Sequence, residues 1–274
     1  MNFLKNHLSF ATVCCFASCL TPNAQAINLI VNGGFETTSN GANRQIGTLS
    51  NTNQFTILSG WYTTDASAST PSFNLVFASG TAETTGAANR FSNAAGTSAL
   101  VTFWGTDNPA DAAHPRGAGP NAIPDASPSG GNFVALDGGF DIGALNQQMS
   151  GLTVGQNYEL SFSWAVAQQY DKDAAAGLTE KLIVKLGGQM IETPTVSYPD
   201  HGFKGWFQQT MIFKADSTSP ILSFLSAGTP TGQPPFALLD GVSLQAVPEP
   251  SSCLIGALTL SGLILRRRRT ATMI

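Results

Sequence analysis

The stretch LNQQMSGLTVGQNYELSFSWA, residues Leu145 to Ala165, carries the clearest structural signal in the chain. Tyr158, Leu160, Phe162 and Trp164 alternate with Glu159, Ser161, Ser163 and Ala165. An apolar period of two predicts a strand with one buried face. Leu145 and Met149 mark an earlier strand, and Gly151 and Gly155 frame the corner between the two, where glycine accepts a positive φ at no steric cost.

The same period recurs on both sides. Leu182, Val184 and Leu186 alternate with Lys181, Ile183 and Lys185; Phe207, Met211 and Phe213 share a parity; Phe236, Leu238, Asp240, Val242 and Leu244 form one row. No long helical period or internal repeat interrupts them, so the reading is an all-β antiparallel sandwich. Frequent turn residues (28 Gly, 15 Pro) and sparse charge (11%) agree with short strands between turns. Asn40 to Asn53 and Gly105 to Gly131 lack periodicity and read as loops, and Ala174 to Gly177 as a helical turn. Asp240 falls at an apolar parity, and a carboxylate buried there needs a partner.

Both ends read as addresses. Met1 to Ala26 has Lys5, an apolar stretch from Leu8 to Leu20 and the ending Ala24-Gln25-Ala26, the pattern of a secretory signal peptide. A rival reading makes Phe16-Ala17-Ser18-Cys19 a lipoprotein box with lipid on Cys19, but phenylalanine matches that box poorly. At the other end Pro248, Glu249 and Pro250 precede thirteen apolar residues, Cys253 to Leu265, and then Arg266, Arg267, Arg268 and Arg269. As a helix that run is about 20 Å long, against ~30 Å of hydrocarbon, and the arginines hold its end on the cytoplasmic side. The three parts in order resemble the PEP-CTERM sorting signal of Gram-negative bacteria. That resemblance implies transient anchoring in the inner membrane, removal by an exosortase-type peptidase, and delivery to the cell surface or the exopolysaccharide matrix. The expected organisation is a signal peptide (1–26), a body (27–246) and a sorting segment (247–274), with an N-terminal signal helix and a short C-terminal apolar helix flanking the sandwich.

Within the body, acids outnumber bases by 16 to 8, which argues against nucleic acid or anionic lipid as a partner. All four cysteines, Cys14, Cys15, Cys19 and Cys253, lie in the targeting segments. The body therefore has no disulfide and no thiolate metal site.

A second resemblance spans the body. LIVNGGFE (Leu29 to Glu36), Gly60-Trp61, GGNFVALDGG (Gly130 to Gly139), the Leu145 to Ala165 stretch, GWFQQTMIFKA (Gly205 to Ala215) and ALLDGVSL (Ala237 to Leu244) resemble, in order, galactose-binding-domain-like jelly rolls used as carbohydrate-binding modules. This implies the fold; the ligand does not follow from it. The resemblance further implies a structural calcium ion held by Glu36 and Asp240, with Gly34 as carbonyl donor. Oxygen ligands suit calcium.

No nucleophile elbow, His-Glu-x-x-His or phosphate loop is present, and the protein reads as noncatalytic. Asp107, Asp111 and His114, which could suggest a metal or triad constellation, read as a solvated acidic loop. Asp137, Asp141 and Glu159 are carboxylates that could converge for glycoside cleavage, but nothing in the sequence selects them. Sugar binding uses exposed aromatic faces beside short polar groups. Trp61, Trp164 and Trp206 are expected in the core, and Trp104, beside Phe103 and ahead of the long loop, is the candidate platform, with packing as its competing role. Two functions follow: a noncatalytic module binding extracellular polysaccharide, or a structural or adhesive matrix protein binding other surface proteins. On processing, intact mass of the surface-associated protein from an exosortase-carrying host should show a chain starting at Ile27 and ending near Pro248-Glu249-Pro250; recovery of Arg266 to Arg269 would contradict tail removal.

Overall fold

The computed structural model describes residues 27–47, 54–67, 70–92, 99–104 and 127–248. The signal segment, the sorting segment beyond Pro248, and Asp107, Asp111 and His114 lie outside them. In chain order the strands are β1 (Arg44–Ile46), β2 (Phe55–Thr56), β3 (Tyr62–Thr63), β4 (Asp65–Ser67), β5 (Thr70–Pro71), β6 (Leu75–Phe77), β7 (Phe133–Asp137), β8 (Leu145–Gln148), β9 (Asn157–Gln168), β10 (Leu178–Glu180), β11 (Leu182–Leu186), β12 (Gln189–Glu192), β13 (Val196–Tyr198), β14 (Phe203–Lys214), β15 (Ile221–Ser226) and β16 (Pro235–Ala246). They form an all-β jelly-roll sandwich. A seven-stranded sheet, β14-β9-β16-β7-β6-β1-β2, packs on a five-stranded sheet, β12-β11-β15-β8-β3, with two small ribbons, β10-β13 and β4-β5, beside them. All pairings are antiparallel except β1 with β2.

Alternation places the inter-sheet core. Tyr158, Leu160, Phe162 and Trp164 of β9, Ala237 and Leu239 of β16, and Val134 and Leu136 of β7 meet Leu145, Val184, Leu222 and Phe224 of the smaller sheet. Trp61 and Trp164 are buried there as expected, and Trp206 is half-buried, edge-on to Phe133.

The one-sided reading of β9 holds only for its first half. Ser163, Ala165 and Ala167 are as buried as the residues between them. They share the outer face of the large sheet with Leu75, Phe77, Phe133, Ala135, Phe236 and Leu238, and this face has its own cover: Phe73, Ala82, Ala87, Val101 and Phe103. The cover is held by backbone bonds, Ala87 N to Val101 O at 2.7 Å, Val101 N to Ala87 O at 2.9 Å, and Phe103 N to Ala82 O at 2.9 Å. Phe103 is fully buried between Phe77 and Phe236, with centroids 5.1 and 5.0 Å away. Burying such a ring contributes roughly 1.5–3 kcal/mol, which offsets the slowly growing entropy of closing a long connection.

Three further expectations are corrected. The single row from Phe236 to Leu244 is broken by a bulge between Asp240 and Ser243, where Gly241 takes φ +62°. Phe236 and Leu238 therefore face the outer cover, while Val242 and Leu244 turn into the inter-sheet core. The loop read over Asn40 to Asn53 contains β1, which pairs with β2 just beyond that stretch and with β6 some thirty residues on (Gln45 opposite Phe55 and Leu75). Gly33-Gly34 after Val31 reads as a bend of the first strand for the same reason as the Gly151–Gly155 corner, but the positive φ values there belong to Asn32 and Phe35, not to Gly33 and Gly34. Gly33 is required for proximity instead: its carbonyl accepts from Val242 N at 3.0 Å, and a Cβ there would sit 2.1 Å from Val242 O. Gly151 and Gly155 take φ +78° and +87°, and the corner before β9 forms as read.

Candidate functional site

The bulge in β16 sets the first candidate centre. Asp240 is fully buried; its Oδ1 accepts from Gly241 N at 2.6 Å and its Oδ2 from the Ser127 hydroxyl. Burial pushes its carboxyl up to about 6 against these two hydrogen bonds, and the nearby Glu36 charge pushes the same way. Glu36 is exposed, and its Oε1 accepts from Asn132 N at 2.8 Å. Gly34 lies between the two acids: a Cβ on it would be 3.9 Å from both Asp240 Oδ1 and Glu36 Oε1. The structure thus brings Glu36, Gly34 and Asp240 together and adds Ser127. Two like-charged carboxylates and a hydroxyl, with no nitrogen or sulfur donor among them, are a set that fits a hard divalent cation.

The second centre is aromatic and lies where the cover meets the loops after β7 and β9. Asp137, at the end of β7, accepts at Oδ1 from Gly139 N (2.8 Å) and Phe140 N (3.0 Å), and at Oδ2 from Asp141 N (2.9 Å). That turn holds Phe140 outward, 50% exposed. Arg90 donates to Pro71 O at 2.9 Å and to Asp141, with its guanidinium 4.6 Å from the ring centre of Phe91, 5.5 Å from Phe73 and 5.8 Å from Phe140. Phe91 is 58% exposed. These rings, with Val101, Asn89, Gln169 and Lys172, line a concavity of about 270 Å³, near the ~300 Å³ lower end of ligand sites.

Trp104 adjoins the Gln168–Lys172 segment, its backbone N–H donating to Gln168 O at 3.1 Å. It is half-buried, donates from Nε1 to Lys172 O at 3.3 Å, leans on Tyr170 (centroids 4.6 Å) and stacks on the His201 imidazole at 3.9 Å and 28°. It is therefore one wall of an aromatic group with Tyr170 and His201 rather than an isolated ring.

The three carboxylates that could have converged divide. Asp137 and Asp141 share the turn above, with every Asp137 acceptor site directed at backbone N–H groups. Glu159 pairs across to Ile212 and Gln245 near the opposite end of β9, whereas Asp137 pairs with Phe236, itself opposite Ala167. That separation is about 25 Å along the strand.

The acid that does neighbour Asp137 is Glu180. It is fully buried, with Oε1 accepting from Lys181 N (2.8 Å) and Ala227 N (2.9 Å), while Oε2 and the Ser226 hydroxyl have no other partner. Burial pushes Glu180 up to about 8, chiefly by desolvation, and Asp137 adds like charge. Sequence carried a signal for it: Glu180 shares the parity of Leu178 and Leu182. Phe140 was also legible, as an aromatic directly after the Gly138-Gly139 turn, where no strand buries it. Phe91 had no comparable signal.

No family model matches this sequence, and no curated protein matches it. Among solved structures, the chain is similar to the module TmCBM61 in complex with β-1,4-galactotriose, over 81% of this chain and 100% of that one, at 16% identity and TM-score 0.36. It is similar to the enzymatically active domain of bacteriophage CBA120 tailspike protein 4 over 81% of this chain and 22% of that one, at 11% identity and TM-score 0.34. It is also similar to a family 16 carbohydrate-binding module, over 44% and 82% of the two chains, at 15% identity and TM-score 0.28.

Glu180 gives a stability prediction. A carboxyl raised from its ordinary 4.5 to about 8 in the fold makes the native state hold more protons than the unfolded one across that window. Its stabilisation is complete below about 4.5 and is lost as pH rises toward 8. Each unit of displacement is worth about 1.4 kcal/mol. Glu180→Gln keeps the two accepted bonds and can donate to Ser226, so its denaturant midpoint should fall less than wild type between pH 5 and 8. Parallel pH profiles would show that Glu180 is not the titrating group.

Proposed function

We propose that residues 27–246 form a noncatalytic carbohydrate-binding module that holds extracellular polysaccharide at the cell surface or in the exopolysaccharide matrix. The observation that carries this reading is the aromatic concavity: Phe91 and Phe140 are half-exposed rings beside Gln169 and Lys172, and Trp104 donates to the Lys172 carbonyl. Aromatic faces stack on the C–H faces of sugar rings, while amides and an ammonium address their hydroxyls. The resemblance to jelly-roll carbohydrate-binding modules supports it further.

Export and sorting belong to the same proposal, through the signal peptide and the PEP-CTERM segment, with an exosortase-type peptidase as processing partner. A structural calcium ion at Glu36, Asp240 and Gly34 completes it, with the Ser127 hydroxyl as an added oxygen. There the ion would neutralise the buried Asp240 and tie the first loop to the last strand.

Two outcomes check these points. Affinity gel electrophoresis on a panel of polysaccharides should show retardation by at least one. Phe91→Ala, Phe140→Ala and Trp104→Ala should each weaken it tenfold or more, with Phe91→Ala leaving the melting temperature within about 2 °C. Silence across the panel, with capture of surface proteins instead, would favour the adhesive reading. For calcium, a site filled at ~100 times its Kd adds about 2.7 kcal/mol. Chelator should therefore lower the melting temperature of wild type but not of Asp240→Asn; equal midpoints with and without calcium would remove the ion.

A further inference from the structure

Beside Trp104, three side chains from two segments turn their donor atoms toward one point. Asp173 lies in the loop after β9, and Asp200 and His201 lie in the turn between β13 and β14. One oxygen of each aspartate and a nitrogen of His201 all lie within 4.8 Å of one another. His201 Nε2 is 2.7 Å from Asp173 Oδ1 and 3.4 Å from Asp200 Oδ2.

The set is oriented from beneath by Gln168, the last residue of β9, which is fully buried. Its Nε2 donates to Asp200 Oδ1 and to Lys172 O, each at 2.9 Å, and its Oε1 accepts from the His201 backbone N–H. Ala174 N donates to the same Asp200 oxygen at 2.7 Å. Asp200 Oδ1 is thereby saturated, and Oδ2 is left to face His201. Among the described residues, no lysine or arginine nitrogen lies within 4 Å of either aspartate.

We propose that Asp173, Asp200 and His201 form a binding site for a borderline divalent cation of the zinc class. Bonds of ~2.0–2.2 Å in tetrahedral array put neighbouring donor atoms about 3.3–3.6 Å apart. The His201–Asp200 separation of 3.4 Å already falls in this range, and the His201–Asp173 pair at 2.7 Å needs to open by about 0.6–0.9 Å. Asp173, with its side chain 82% exposed, leaves the fourth position to water. The imidazole separates this site from the all-oxygen set at Glu36 and Asp240: nitrogen with carboxylate favours zinc, copper or nickel, and oxygen alone favours calcium. Gln168 acts as the outer partner that fixes a ligand's direction. The occupied site would join the loop after β9 to the turn before β14 and hold His201 on the Trp104 face.

Calorimetric titration of the full-length protein with zinc at pH 7.5, in excess calcium, tests this. One site per chain is expected, weakened at least tenfold in His201→Ala and in Asp200→Asn, and unchanged in His114→Ala. Copper should quench tryptophan fluorescence saturably in wild type. Trp104→Phe should lose that quenching while keeping the zinc heat. No zinc heat in wild type, heat unchanged in the His201 and Asp200 variants, or heat lost in His114→Ala would each overturn the site. Neither titration uses a sugar, so the outcome is independent of carbohydrate binding.

Discussion

Ala165 and Ala167 lie on the outer face of β9, a strand hydrogen-bonded on one side to β14 and on the other to β16. Side chains that small cannot shield the aromatic rings around them, and Phe77, Phe133 and Phe236 on the same face would present a large apolar patch to water. The large sheet therefore needs a cover on the side away from its partner sheet. The segment around Ala82, Ala87, Val101 and Phe103 supplies it, and most of what distinguishes this sandwich follows. From the second half of β9 through β6 the sheet is buried on both faces, and the half-exposed rings Phe91 and Phe140 stand at the rim, where the cover meets the turns after β7 and β9.

The rim is built by buried polar groups. Asp137 shapes the turn that presents Phe140, Arg90 bridges that turn to Phe91, and Gln168 ties the strand end to Asp200 and His201. Each is hydrogen-bonded to groups of the rim itself, so the rim is positioned by the ends of strands rather than by loop contacts alone. At the bulge of β16 the same economy is incomplete: Asp240 is buried with a hydroxyl and one N–H for partners and a second carboxylate nearby. That incompleteness gives the proposed calcium ion its physical role.

Much of the inter-sheet architecture was legible because its residues alternate cleanly: Tyr158 to Trp164, Leu182 to Leu186, and the Gly151–Gly155 corner. Period two reports one buried face and is silent about the other when small residues such as Ser163, Ala165 and Ala167 occupy it. A bulge also defeats it, since Gly241 moves Val242 and Leu244 across the sheet. At the candidate site, Glu36, Gly34 and Asp240 were named from resemblance and do lie together. Trp104 was legible only as an aromatic ahead of a long loop; its neighbours His201 and Tyr170 come from other segments, and no local pattern announces such a meeting. Phe91 and Arg90 depend on the cover's path, which no periodicity encodes.

The closed outer face is tested most directly by residue-resolved hydrogen exchange of the full chain. If the cover is part of the folded core, the amides of Ala87, Val101 and Phe103 exchange only through global opening, at rates comparable to Val166 and Ala167 in β9. Exchange of the cover amides orders of magnitude faster than β9 would mean that this face opens in solution. Ligand recognition would then belong to the sheet face and not to the rim.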